Sequence, residues 1–199
     1  MVAVSPKIKV GFIVEGGSEK VIVESTQFRV FLDRNGYELV TPVIDAKGGG
    51  NLLPQNLEVF LERFDLENVD QIYVLTDLED DPSIESVRQR IAHASIEFSF
   101  IAVKALEAWY LADSSAMNSW LGITDFYEVQ PEQTQGKPWD RLKEIATEKG
   151  KRGPGQKISF AKKITKHHGF SLVHAAQHQN CPSASELVNY FTQGIADAD

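Results

Sequence analysis

Along the first hundred residues, short blocks of consecutive apolar positions alternate with longer stretches whose apolar positions recur every three or four. The two periods predict strands and helices respectively. Lys7 to Val14 is rich in β-branched and aromatic residues and runs into Glu15-Gly16-Gly17, the pattern of a buried strand ending in a tight turn. Ser18 stands at the expected N-cap of the next helix, and Asn35-Gly36 supplies its stop. Tyr37 to Ile44 reads as a second strand and Gly48-Gly49-Gly50 as a loop. Asn51 to Phe64 reads as a helix with Leu53, Leu57, Phe60, Leu61 and Phe64 at helical spacing, and Pro54 falls in its tolerant first turn. Gln71 to Thr76 is a third strand running into Asp77-Leu78-Glu79-Asp80-Asp81. Ser83 to Ala94 is a helix and Glu97 to Val103 a fourth strand.

Strands that alternate with helices of this length imply parallel βαβ units, because parallel neighbours need a crossover that covers the sheet. The expected class is therefore α/β, with a Rossmann-like, mostly parallel sheet flanked by helices. After Ala105 the pattern changes. Leu106 to Leu121 is helical, Gly122 to Lys137 irregular, Gly153-Pro154-Gly155 a break, and Ser183 to Gly194 a closing helix. This divides the chain into an α/β core of residues 1–121 and a mainly helical C-terminal extension, 122–199, packed on it.

With 199 residues, 42% of them hydrophobic, the chain has enough material for one domain or a domain with an appended lobe. The formal net charge of -8 argues against a surface that coats nucleic acid indiscriminately. The distribution changes the picture. Residues 137–168 hold ten basic side chains against three acidic ones, so this segment carries +7 and the remainder -15. Such asymmetry predicts an acidic body beside a basic segment. The single cysteine, Cys181, excludes an internal disulfide and points to a reducing compartment. Apolar runs reach only about five residues, against the roughly 18 a membrane span needs. The expectation is a cytoplasmic protein with no membrane partner.

In an open parallel sheet, ligands bind beyond the carboxyl ends of the strands. Glu15 ends the first strand, Asp77 and Glu79 end the third, and Lys104 with Glu107 follow the fourth. Asp77 and Glu79 are separated by one residue and would point the same way in an extended segment. Carboxylates gathered in one cleft repel unless a cation lies between them, and oxygen ligands suit Mg²⁺ or Mn²⁺. Metal-assisted phosphoryl chemistry needs that arrangement. A plainer account makes Asp77 to Asp81 a solvated loop whose acids favour the next helix N-terminus. That account leaves Glu15 unexplained.

The run Gly11-Phe12-Ile13-Val14-Glu15-Gly16-Gly17-Ser18-Glu19, followed about sixty residues later by Ile72-Tyr73-Val74-Leu75-Thr76-Asp77-Leu78-Glu79, resembles the Toprim domain. That domain is shared by topoisomerases, bacterial primases and overcoming-lysogenization-defect nucleases. The stretch Val103 to Asp113 and the helix start Asn180-Cys181-Pro182-Ser183 are similar to a bacterial Toprim-like family often encoded beside an ATPase in phage-defence loci. The resemblance implies a Mg²⁺- or Mn²⁺-dependent nuclease acting on DNA or RNA, with an ATPase protein partner. It makes Glu15 the proton-handling acid, Asp77 and Glu79 metal ligands with Glu15 and Asp81 beside them, and Lys104 and Glu107 further catalytic candidates. Glu79 departs from the usual Asp, and the Gly that often follows that motif is missing. The rival is a non-catalytic, Toprim-shaped regulatory or interaction subunit of an ATPase complex. A third reading, aspartyl phosphorylation on Asp77, leaves Glu15-Gly16 without a role.

Neither glycine run ends in the Gly-Lys-Ser/Thr of a phosphate-binding loop, so both read mainly as turns, although Lys47 could reach a phosphate. His174, His178 and Cys181 have a spacing that hints at zinc but lack the paired ligands of closed sites, and surface or capping histidines explain them better. Trp109, Tyr110, Trp120, Phe126, Tyr127 and Trp139 are expected chiefly in packing. The basic segment is expected to hold a phosphate backbone through Lys137, Arg141, Lys151, Arg152, Lys157, Lys162 and Lys163. Docking of an acidic protein partner is the alternative.

Overall fold

The computed structural model describes residues 6–65 and 68–193, with residue 65 described by its backbone alone. Five parallel strands form one sheet: β1 (Ile8–Val14), β2 (Tyr37–Leu39), β3 (Ile44–Asp45), β4 (Gln71–Asp77) and β5 (Phe98–Ala102). β2 and β3 pair with successive parts of the same edge of β1, and β4 and β5 follow on its other side. The α/β, Rossmann-like class expected from the alternating pattern is what the chain adopts.

The single strand expected over Tyr37 to Ile44 is thus two short ones. Pro42 interrupts them because it has no N–H to give to the ladder. The amide of Val43 turns instead to the Glu24 carboxylate, 2.8 Å away. The helix expected from Ser18 is also two, α1 (Gly17–Val23) and α2 (Thr26–Arg34). Gly16, not Ser18, is the N-cap of α1. Ser25 restarts the chain as α2 by accepting a hydrogen bond from Phe28 N. The predicted stop holds: Asn35 is the C-cap and Gly36 takes the left-handed backbone, φ 78°.

Helices α3 (Pro54–Asp65) and α4 (Ile84–Arg90) cover one face of the sheet, where Ile13, Val74 and Ile101 meet Leu57, Leu61, Phe64, Val87 and Ile91. Gly11 lies directly beneath the Phe64 ring; a Cβ there would come within 2.6 Å of it. The other face carries α1, α2 and everything after β5: α5 (Glu107–Ala112), α6 (Ser114–Leu121), α7 (Pro138–Glu148), α8 (Lys157–His168), α9 (Leu172–Ala176) and α10 (Pro182–Gln193). The Leu106–Leu121 helix breaks at Asp113, whose carboxylate caps α6 through Ala116 N and receives Ser171 N at 3.0 Å. The Gly194 end of the expected closing helix lies outside the described residues.

Among the described residues, the segment after residue 121 adds no second core. Leu142, Phe160, Ile164, Leu187 and Phe191 join the same buried cluster as Phe12, Tyr73 and Phe100. The Phe191 ring lies 5.0–6.1 Å from those of Tyr37, Tyr73, Phe100 and Phe12. Aromatic contacts at these separations add about 0.5–1.5 kcal/mol each beyond area burial. The sheet therefore depends on the extension for one of its two covers.

Candidate active site

From β1 the chain winds outward to β2, and from β4 it winds the other way to β5, so the strand order reverses between β1 and β4. The crevice at such a switch point is where open α/β sheets bind ligands. Glu15 follows β1 and Asp77 closes β4, directly across this point. A Glu15 oxygen accepts from the Thr76 hydroxyl and from Asp77 N at 3.2 Å. Gly48 N donates to Glu15 O, and the backbone of Gly49 passes within reach of the Glu15 carboxylate. The glycine loop therefore packs on an acid.

Two more carboxylates converge from helix starts. Glu19, in the first turn of α1, is 7% exposed, and Glu107, which opens α5, is 2% exposed. Only Glu15 and Gly16 separate β1 from α1, so the chain folds back at once and brings Glu19 beside Glu15. Burial, with like charge from Glu15 and Glu107, raises the Glu19 carboxyl from 4.5 to about 7. Burial also drives Asp77 well above the usual carboxylate range, and Glu19, Glu107 and Glu15 add to it. Asp77 is oriented by Leu106 N, which donates to it at 2.8 Å. Among the described residues, the one cation paired with this group is Lys157, 2.9 Å from Glu107. Burial works to lower the Lys157 ammonium, but Glu107, Asp77 and Glu19 outweigh it and hold it above its usual range.

Asp77 and Glu107 line a cleft of about 290 Å³ together with Lys104, Gln135–Pro138 and Trp139. Glu79 and Asp80 stand in its lining, but Glu79 has φ 49°, so the extended alternation expected to align it with Asp77 stops at the end of β4. Lys47, Glu79 and Lys104 all take positive φ, each just past the carboxyl end of a strand. Such backbone costs on the order of 1 kcal/mol or more per residue and gathers at functional sites. Asp81 is turned away and paired with Arg90 at 2.8 Å. Lys104 donates to the carbonyls of Thr134 and Gly136, so it fastens that part of the lining. Lys47 is taken by Asp45 at 2.6 Å.

The basic segment does not present one uniform surface. Arg141 is bound to Glu128, Glu144 and Glu148, and Lys143 to Asp140. Lys137 lines the cleft, while Lys151 and Arg152 are exposed in the turn before α8. Lys162 and Lys163 are exposed on α8 itself.

His174, His178 and Cys181 form no shared centre. His178 meets Glu128 O, His174 lies 3.6 Å from Asp113, and the buried Cys181 donates to Glu132. Glu132, in the 3₁₀ turn Pro131–Gln133, also accepts from Ser183 N and Oγ, and Ser183 Oγ receives Trp109 Nε1 at 2.7 Å. Nothing in the hydrophobic pattern marks Glu132, since its partners come from remote parts of the chain. Glu19 carried a readable signal: an acid four residues after Glu15, across a Gly-Gly turn that had to reverse the chain.

Two buried polar atoms at the site, Glu107 Oε2 and Tyr110 Oη, have no hydrogen-bond partner among the described residues. Such atoms cost about 1–3 kcal/mol each unless a ligand or water meets them. The oxygen donors around them are the type hard divalent cations select. Among the described residues, no group of three or more His, Cys, Asp or Glu side chains is arranged so that it could hold a metal ion. Metal binding would thus require the carboxylates to turn inward from Thr76, Leu106 N and Lys157.

No helix among the described residues is long and apolar enough to cross a membrane. Residues 14–191 match a family model described as a domain of unknown function (DUF4276). No curated protein and no solved structure matches the chain.

Proposed function

The chain belongs to the DUF4276 family, which brings no activity with it, and from the site together with the Toprim resemblance we propose a divalent-metal-dependent nuclease that hydrolyses nucleic-acid phosphodiesters. The observation that carries this is the convergence of Glu15, Glu19, Asp77 and Glu107 at the switch point, with Glu107 Oε2 and Tyr110 Oη left unpartnered. Like charge concentrated at this depth is destabilising in the absence of a ligand, so the arrangement is better explained by chemistry than by folding.

Asp77, Glu107 and Glu15 are the residues that would hold Mg²⁺ or Mn²⁺, with Glu79 at the rim. The ion would neutralise phosphate charge and lower the pKa of a bound water. Glu19, raised to about 7, suits the exchange of a proton at neutral pH, because an acid–base group works best near the ambient pH. It would accept the proton of the water that attacks phosphorus as the bond to the leaving oxygen breaks. Lys157 and Lys104 place positive charge on the cleft side of this centre. The ATPase partner implied by the Toprim resemblance would supply any nucleotide-driven step.

The test is cleavage of plasmid, single-stranded DNA and RNA with Mg²⁺ or Mn²⁺ by wild type, Glu15→Ala, Glu19→Gln and Asp77→Ala. Metal-dependent cleavage by the wild type, lost in each variant, is expected. Equal activity in all four overturns the assignment. The regulatory-subunit reading draws on Glu79, which stands where the Toprim pattern has Asp and leaves the line of β4 at φ 49°. Calorimetric titration with Mn²⁺ separates the two, since heat of binding that vanishes in Asp77→Ala belongs only to the metal site.

A further inference from the structure

Helix α8 carries a large share of the basic charge of the sequence, with Lys162, Lys163 and Lys166 together on its outer side. Its inner face, Phe160, Ala161, Ile164 and Thr165, is buried against the core, while Lys157, Lys162, Lys163, Lys166 and His167 are exposed and the helix contains no acid. Among the described residues Lys162, Lys163 and Lys166 make no ion pair, unlike Arg141 and Lys143 on α7. These three lysines border a groove of about 900 Å³ between α8 and the start of α2. The one acid lining it, Glu24, accepts from Val43 N and lies 3.8 Å from Lys20.

The same helix begins at the cleft. Lys157 lines the cleft, and Lys166 stands nine residues further, about 13 Å along a helix rising 1.5 Å per residue and half a turn round it, so a strand reaching both passes over the exposed side of α8. The half-buried ring of Trp139 lines the same cleft as Asp77 and Glu107, with the Lys143 and Lys157 ammoniums each over it at 5.9 Å from its centre and Phe160 packed edge-on. A cleft of about 290 Å³ is at the small end of ligand pockets and has room for one nucleotide, not for two paired strands.

Resting on the nuclease reading above, we propose that the substrate is an unpaired strand, its backbone held by Lys162, Lys163 and Lys166 and one of its bases stacked on Trp139 within the cleft. An aromatic face beside a positively charged groove is the means by which single strands are bound irrespective of sequence, and it needs a base free of its partner. A duplex could meet the lysines but could not offer a base to Trp139. An acidic polypeptide would satisfy the lysines equally and gain nothing from the ring.

Binding in EDTA tests this apart from catalysis. Fluorescence anisotropy would follow fluorescein-labelled 20-nucleotide DNA and RNA single strands and the matching DNA duplex. The expected result is single-strand affinity about tenfold or more above the duplex. Trp139→Ala should lose about tenfold, whereas Trp139→Phe, which keeps both ring and packing, should retain most of the affinity. Lys162→Ala/Lys163→Ala/Lys166→Ala should reduce the slope of log K against log salt by about 2, at roughly 0.7 per phosphate. Arg63→Ala, on the far side of the sheet, should change neither.

Equal affinity for duplex, no effect of Trp139→Ala in a variant with native circular dichroism, or displacement by polyglutamate at equal charge concentration would each overturn the proposal. So would absence of binding by the folded wild type. Tight single-strand binding without metal-dependent cleavage would instead remove the nuclease reading and leave the strand site standing.

Discussion

Replacing Glu19 by Gln should make the protein more stable at neutral pH, contrary to the usual effect of changing a buried residue. Glu19 is raised from 4.5 to about 7 by burial and by Glu15 and Glu107. A carboxyl titrating higher in the folded than in the unfolded chain binds more protons when folded. Between pH 4.5 and 7, stability therefore falls as pH rises, and below 4.5 the penalty is absent. The displacement corresponds to on the order of 3 kcal/mol once pH exceeds 7. Gln is nearly isosteric and never ionises, so it lifts this penalty while keeping the packing.

Urea denaturation at pH 5, 6, 7 and 8 would measure it. The lead of Glu19→Gln should be about 1 kcal/mol at pH 5 and grow to on the order of 3 kcal/mol at pH 8. Millimolar Mg²⁺ should narrow the gap by stabilising the ionised wild type. The same variant should lack metal-dependent cleavage, the trade of activity for stability expected at a strained site. A variant with the wild-type pH slope, or one less stable than wild type at pH 8, would refute the placement of Glu19 among like charges.

Gly11→Ala should cost about 1–3 kcal/mol, read by urea denaturation, because its Cβ meets the Phe64 ring against the sheet. Glu132→Ala should cost about 2–4 kcal/mol by the same assay, since Ser183 N, Ser183 Oγ and Cys181 Sγ lose their acceptor. Lys157→Ala leaves Glu107 buried without its counter-charge; the melting temperature should fall, and Mg²⁺ should then raise it by more than it does in wild type. Glu79→Gly should stabilise by about 0.5–1 kcal/mol in a thermal melt, because glycine accepts φ 49° without strain.

Period and turn chemistry identified the strands because each is a short apolar block bounded by turn residues, as with Gln71–Thr76 before its acidic run. Events that depend on a distant partner were not legible. The split at Pro42 persists because Glu24, from another element, satisfies the Val43 amide. The break at Asp113 is held by Ser171, 58 residues further along. The site divides the same way. Glu15, Asp77 and Glu107 could be read as acids at or just after strand ends, whereas the nearness of Glu107 to Asp77 depends on Leu106 N reaching that carboxylate. Arg141 and Lys162 look alike in sequence, yet one is held by three acids and the other faces solvent.

That difference decides what the charge asymmetry can do. A net charge of -8 repels polyanions at long range, and screening confines the repulsion to about 10 Å at 0.1 M salt. Within that range the geometry of α8 governs. Gly17, lacking a side chain, lets Ile158 seat against the first turn of α1, the turn that carries Glu19. Lys157 then fastens α8 to Glu107. The basic face is thereby fixed to the carboxylates by packing and by an ion pair rather than tethered to them by a loop. A strand drawn to Lys162, Lys163 and Lys166 is consequently delivered at a set distance from Asp77, and a substitution that unseats Ile158 should disturb cleavage without removing any charge.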